Sequence, residues 1–141
     1  MDNVTHTLAG LLVGETAAQL RRRRTGHDPS PGFRTAAALA AAIGANLPDA
    51  DLLYTALAPG KLNYLLHHRG HTHTLVAALV AIPLLWGAAL VLWARFGTRP
   101  PGAGDRRWLL GAVAAAVFSH VALDWTNNYG MFFPPSRLLY V

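Results

Sequence analysis

Four histidines fall within seven residues in the stretch His67, His68, Arg69, Gly70, His71, Thr72, His73, Thr74, and the longest uncharged apolar run of the chain begins directly after it. Imidazole is the commonest biological metal ligand and the side chain best poised to exchange a proton near neutrality. A cluster of imidazoles at the mouth of an apolar run points to a metal site at a membrane surface. The other groups able to complete such a site are His6, Asp49, Asp51, His120 and Asp124. The chain has no cysteine, so neither a thiolate site nor a disulfide is open to it. A His and carboxylate set suits zinc first, then manganese or iron. Seven candidate ligands, His6, Asp49, Asp51, His68, His73, His120 and Asp124, exceed the four of a structural zinc. The set therefore predicts either two ions or some groups that orient the ligands from outside.

Each group also has an ordinary reading. Asp49 and Asp51, in NLPDAD, fit turn and cap positions where Pro48 breaks a helix. His120 and Asp124, one helical turn apart, fit a hydrogen-bonded core pair, and His6 fits an interfacial N-terminal position. His67 and His71 are read as facing headgroups or solvent, His27 as uninvolved, and Glu15 as pairing with Arg21 or its neighbours.

The elements that must position these groups are apolar. Of the 141 residues 52% are hydrophobic and 13% charged, against roughly 25% charged in soluble domains. Apolar segments run over residues 5–20, 35–58 (interrupted by Pro48), 74–94 and 108–124. A bilayer core takes about 20 helical residues, and only 74–94 meets that length cleanly. The expected fold is all-α, a polytopic membrane bundle of about four transmembrane helices, forming one membrane-embedded domain over residues 1–141. The N-terminus lacks a basic stretch and a small-residue cleavage site, so it is not read as a removable signal peptide.

Charge sets the orientation. Nine arginines (residues 21–24, 34, 95, 99, 106 and 107) lie in the loops after the first and third segments, whereas Lys61, Arg69 and Arg137 lie opposite. The positive-inside rule puts the arginine loops in the cytoplasm and both termini outside. The arginines form short blocks between apolar runs rather than one amphipathic face, which argues against a nucleic-acid partner. They are read as topology determinants and no more.

At a helical rise of ~1.5 Å per residue, Asp49 and Asp51 stand ~21 to 24 Å above the cytoplasmic face, and His120 and Asp124 ~18 to 24 Å. His6 and His73 open their segments at the same outer level. Rows of small residues at four-residue spacing end in these groups: His6, Gly10, Gly14, Ala18; Ala37, Ala41, Ala45, Asp49; His73, Ala77, Ala81; and Ala112, Ala116, His120, Asp124. Such rows let membrane helices approach closely, so the ligand-bearing faces should turn inward.

In chain order DNVTHTLAG, NLPDAD, HRGHTHT and SHVALDWTNNYG resemble the four motifs of the predicted inner-membrane metal-dependent hydrolases of prokaryotes, roughly THxxxG, PDxD, HRGxTHS and SHxxLDxxTxYG. The resemblance spans nearly the whole chain, with Thr74 standing where serine is usual. It implies that His6, Asp49, Asp51, His68, Arg69, His73, His120 and Asp124 are the functional positions, with His67 and His71 outside the pattern. Members of that family often continue through further hydrophobic segments, so the resemblance implies a minimal member or a form lacking C-terminal segments. It also implies the inner membrane.

The expected activity is hydrolysis of an ester or phosphoester, small or lipid-linked, by metal-activated water at the outer leaflet. Asp51 or Asp124 would serve as base if not a ligand, as would Asp49, and Arg69 would clamp an anionic headgroup. The competing expectation is a non-catalytic divalent-metal-binding membrane protein: a clamp, a sensor or a transporter. Polar groups gathered at one level, with an apolar segment below His73, argue against a conduit.

Overall fold

Residues 3–50 and 72–125 are described in the computed structural model. Along them run α1 (Asn3–Thr25), α2 (Phe33–Gly44), a 3-10 turn (Leu47–Ala50), α3 (Leu75–Phe96) and α4 (Ala103–Trp125), with no strand among the described residues. Among the described residues the fold is all-α with four helices, in keeping with the apolar segments of the sequence. α4 touches each of the other three, α1 lies along α2, and α3 packs on α4 and the flank of α2.

The small-residue rows explain this packing. An added Cβ at Gly10 would stand 2.5 Å from the carbonyl oxygen of Ala41, and one at Gly14 would stand 2.6 Å from that of Ala37. The backbones of α1 and α2 therefore meet where a side chain on either glycine could not fit. Three of the four rows are buried throughout, those ending at His6, Asp49 and Asp124. The third departs from expectation: Ala77 and Ala81 are only half-buried, and α3 turns Ala78, Ile82 and Trp93 inward. Thr74 is the reason. It caps α3, its side chain accepting from the backbone N–H of Ala77, so His73 lies before the helix and does not share its phase.

The polarity of the bundle suits lipid. Phe33, Leu109, Val113 and Val117 fill the interior, while Val76, Leu79, Val80, Leu84, Val91 and Leu92 of α3 and Val4, Leu8 and Leu12 of α1 are exposed. α3 and residues Ala103–Asp124 of α4 are long and apolar enough to cross a bilayer. The fourth segment thus meets the length test that the third alone was expected to pass, because its helix starts at Ala103. α2 does not: its 12 residues span ~18 Å. Pro48 leaves no N–H for a continued ladder, and the chain passes instead into the tighter turn, where Asp49 N donates to Asn46 O at 3.1 Å.

At the arginine end Arg21 does more than set topology. Its Nη2 lies 2.7 Å from Oδ1 of the buried Asp105, tying α1 to α4. Asp105 also accepts from the Ser30 hydroxyl and, at 3.4 Å, from the N–H of Gly102. Glu15 pairs with an arginine as expected, but the partner is Arg34, which donates twice at 2.6 and 2.8 Å.

Candidate metal centre

Four elements deliver five groups to a common point. His6 comes from the first turn of α1, Asp49 from the 3-10 turn, His73 from the lead into α3, and His120 and Asp124 together from one face of α4. His6, His73, His120 and Asp124 are 0% exposed and Asp49 8%.

The distances describe a closed set of donors. The Nε2 atoms of His73 and His120 are 3.0 Å apart. His73 Nε2 stands 3.2 Å from Asp124 Oδ2 and 3.4 Å from Asp49 Oδ1; His120 Nε2 stands 3.5 and 3.6 Å from the same two oxygens. Ligands at 2.0–2.1 Å from a tetrahedral zinc are about 3.3–3.4 Å from one another. These edges scatter around that length, and Asp49, His73, His120 and Asp124 form a group that could hold a metal ion.

The ring orientations point the same way. The carbonyl of Ala45, just past the end of α2, is one of the acceptors that a helix C-terminus leaves over. His120 Nδ1 lies 2.6 Å from it and donates, so His120 Nε2 is a bare lone pair. His73 Nδ1 lies 3.1 Å from the Thr72 hydroxyl. With His73 protonated at Nδ1, where the Thr72 hydroxyl can accept, two imidazole lone pairs and two carboxylate oxygens face one another, an arrangement that a cation stabilises.

Without a cation, a proton on His73 does the same work. Burial would raise the carboxyl of Asp49, but the hydrogen bond with His73 and the charges of His120 and His73 more than reverse this, and it lies below the ordinary carboxylate value. At His73 burial works against the proton, yet the hydrogen bonds with Asp124 and Asp49 prevail and its imidazole lies above the ordinary value.

His6 stands beside this set rather than in it. Its ring stacks on His120 at 3.9 Å, and its Nε2 lies 3.4 Å from Oδ1 of Asp124, the oxygen turned away from the other imidazoles. Of the expected site residues, His6, Asp49, His73, His120 and Asp124 converge, while Asp51, His68 and Arg69, with His67 and His71, lie outside the described residues. His27 is exposed at the far end. Two participants had no place in the sequence reading: the carbonyl of Ala45, which no side-chain pattern reveals, and Thr72, whose position next to His73 in HTHT was the available signal.

Among the described residues, fold and site together define an all-α protein with two candidate membrane spans and a buried His and Asp cluster that could take a cation. Residues 1–139 match the YdjM inner membrane protein family, and the chain belongs to that family. It is therefore a protein associated with the bilayer of the inner membrane. No curated protein and no solved structure matches the chain.

Proposed function

We propose that the protein is a metal-dependent hydrolase of the inner membrane, acting on an ester or phosphoester at the outer leaflet. The observation that carries this reading is the set of near-equal distances among His73, His120, Asp49 and Asp124, with both Nδ1 atoms engaged elsewhere. Zinc fits such donors best. When bound, a divalent cation would lower the pKa of a water towards neutrality and polarise the scissile oxygen. Hydrolysis adds the hydroxyl of water to the acyl or phosphoryl centre and returns a proton to the leaving alcohol.

The residues of the chain share the remaining work. Ala45 and Thr72 hold His120 and His73 in position. Asp124 presents one oxygen to those imidazoles and the other to His6. His6 either donates to that oxygen or shares a second ion through it, and a metal stoichiometry of one or two separates these cases. By the motif resemblance Asp51, His68 and Arg69 are functional positions as well; whichever of Asp49, Asp51 and Asp124 is not a ligand would take the proton of the attacking water, and Arg69 would clamp an anionic headgroup. Purified protein should hydrolyse a phospholipid or generic phosphodiester and contain zinc. His73→Ala and His120→Ala should abolish turnover while the helix content persists; unchanged turnover in both would remove the site.

The near-complete burial of the cluster favours a second reading, a metal clamp that catalyses nothing. Tight stoichiometric metal without turnover would establish it, and metal flux into proteoliposomes would favour transport instead.

A further inference from the structure

Among the described cluster residues Asp49 alone keeps exposed surface, and that surface opens into a groove of about 500 Å³ between the start of α1 and the end of α2. Thr7 and Asn46 line its polar side next to Asp49; Ala42, Ile43 and Leu47 line its apolar side. The polar side is braced across the two helices. Asn46 Nδ2 donates to Thr7 Oγ1 at 2.9 Å and to the carbonyl of Ala42 at 2.8 Å, and the Thr7 hydroxyl donates to the carbonyl of Asn3 at 2.7 Å. The apolar side runs without a break into the exposed surface of the bundle: Ile43 continues into Leu39 one turn below, and Val4 and Leu8 flank Asn3 and Thr7 on α1.

From this continuity we infer that the groove admits a phospholipid of the surrounding bilayer sideways, its headgroup end at Thr7, Asn46 and Asp49 and its chains along Ile43 and Leu39. The substrate is then a membrane lipid, not a water-soluble ester. This rests on the hydrolase reading for its chemistry and on the groove alone for its geometry. An aqueous ester would need a polar approach, whereas one wall here is aliphatic and faces lipid. A phospholipid, polar at one end and apolar at the other, matches both sides of the groove without moving a helix.

The chain has no cysteine, so a single one can be placed and labelled cleanly. Leu47→Cys carrying a bimane fluorophore, in the full-length protein in nanodiscs, should be quenched by phospholipid brominated near the headgroup and little affected by aqueous iodide. Quenching by iodide but not by brominated lipid would overturn the inference. Ala50→Trp, which fills the groove beside Asp49, should abolish that quenching and lower phospholipid turnover about a hundredfold, with metal content unchanged. Turnover and quenching both insensitive to this variant, with metal retained, would equally overturn it. Wild-type protein that shows brominated-lipid quenching yet hydrolyses neither phospholipid nor a generic phosphodiester would sink the hydrolase reading and leave the lipid groove standing, whereas hydrolysis of the soluble diester alone would overturn the lipid substrate.

Discussion

His120 is held at Nδ1 by the carbonyl of Ala45, just past α2, and turns Nε2 towards His73, Asp49 and Asp124. Removing it should therefore cost the metal and not only weaken it. We expect His120→Ala, His73→Ala and Asp124→Asn each to purify with little or no zinc by elemental analysis. Thr72 offers a finer test, since partners that orient a metal-bound histidine are worth about 10–100-fold in affinity. Thr72→Val should lose that factor in a metal competition titration and Thr72→Ser should restore it. Proton and metal compete for His73, whose carboxylate neighbours raise its hold on the proton. Metal affinity should accordingly fall with decreasing pH, about tenfold per unit for each proton displaced, from above the ordinary imidazole value of about 6.5.

Among the elements, the crossing of α1 and α2 depends on two positions with no side chain. Gly10→Leu would drive carbon into the backbone of Ala41 and Ala42, and overpacking of this kind costs about 1–3 kcal/mol or forces the helices apart. Because His6 sits one turn before Gly10, that separation should lower metal content as well as melting temperature, whereas Gly111→Leu, which meets open space, should do neither. The opposite end depends on charge. Arg21→Ala leaves Asp105 buried without its ion pair, for which the expected loss is about 3–5 kcal/mol. The double variant with Asp105→Ala should recover much of it in thermal unfolding, which a purely topological role for Arg21 would not predict.

Among the described residues the arginines gather at one end of the bundle and the candidate metal ligands at the other, and the positive-inside rule predicts that the arginine end faces the cytoplasm. In intact cells a cysteine at Asp28 should resist a membrane-impermeant thiol reagent and one at Asn3 should react. The reverse pattern would move the cluster to the cytoplasmic side.

The sequence by itself determined the class: apolar segments of helical length, a cluster of imidazoles and carboxylates at one depth, and rows of small residues that bring helices together. Those are local or periodic properties, and each is written in residue type and spacing. The phase of α3 was not legible, because a rise counted from His73 assumes a helix that only begins after the Thr74 cap. Nor was the partner of Glu15, since Arg21 and its neighbours are nearer in sequence and only the packing of α2 on α1 chose the more distant Arg34. Tertiary structure also decided which candidate ligands gather into one group that could hold an ion and which, like His6, stand beside it. The reason is physical: a metal site is fixed by distances of a few ångströms between segments far apart in the chain, and those depend on how closely backbones pack and on carbonyls such as that of Ala45, which leave no mark in the order of side chains.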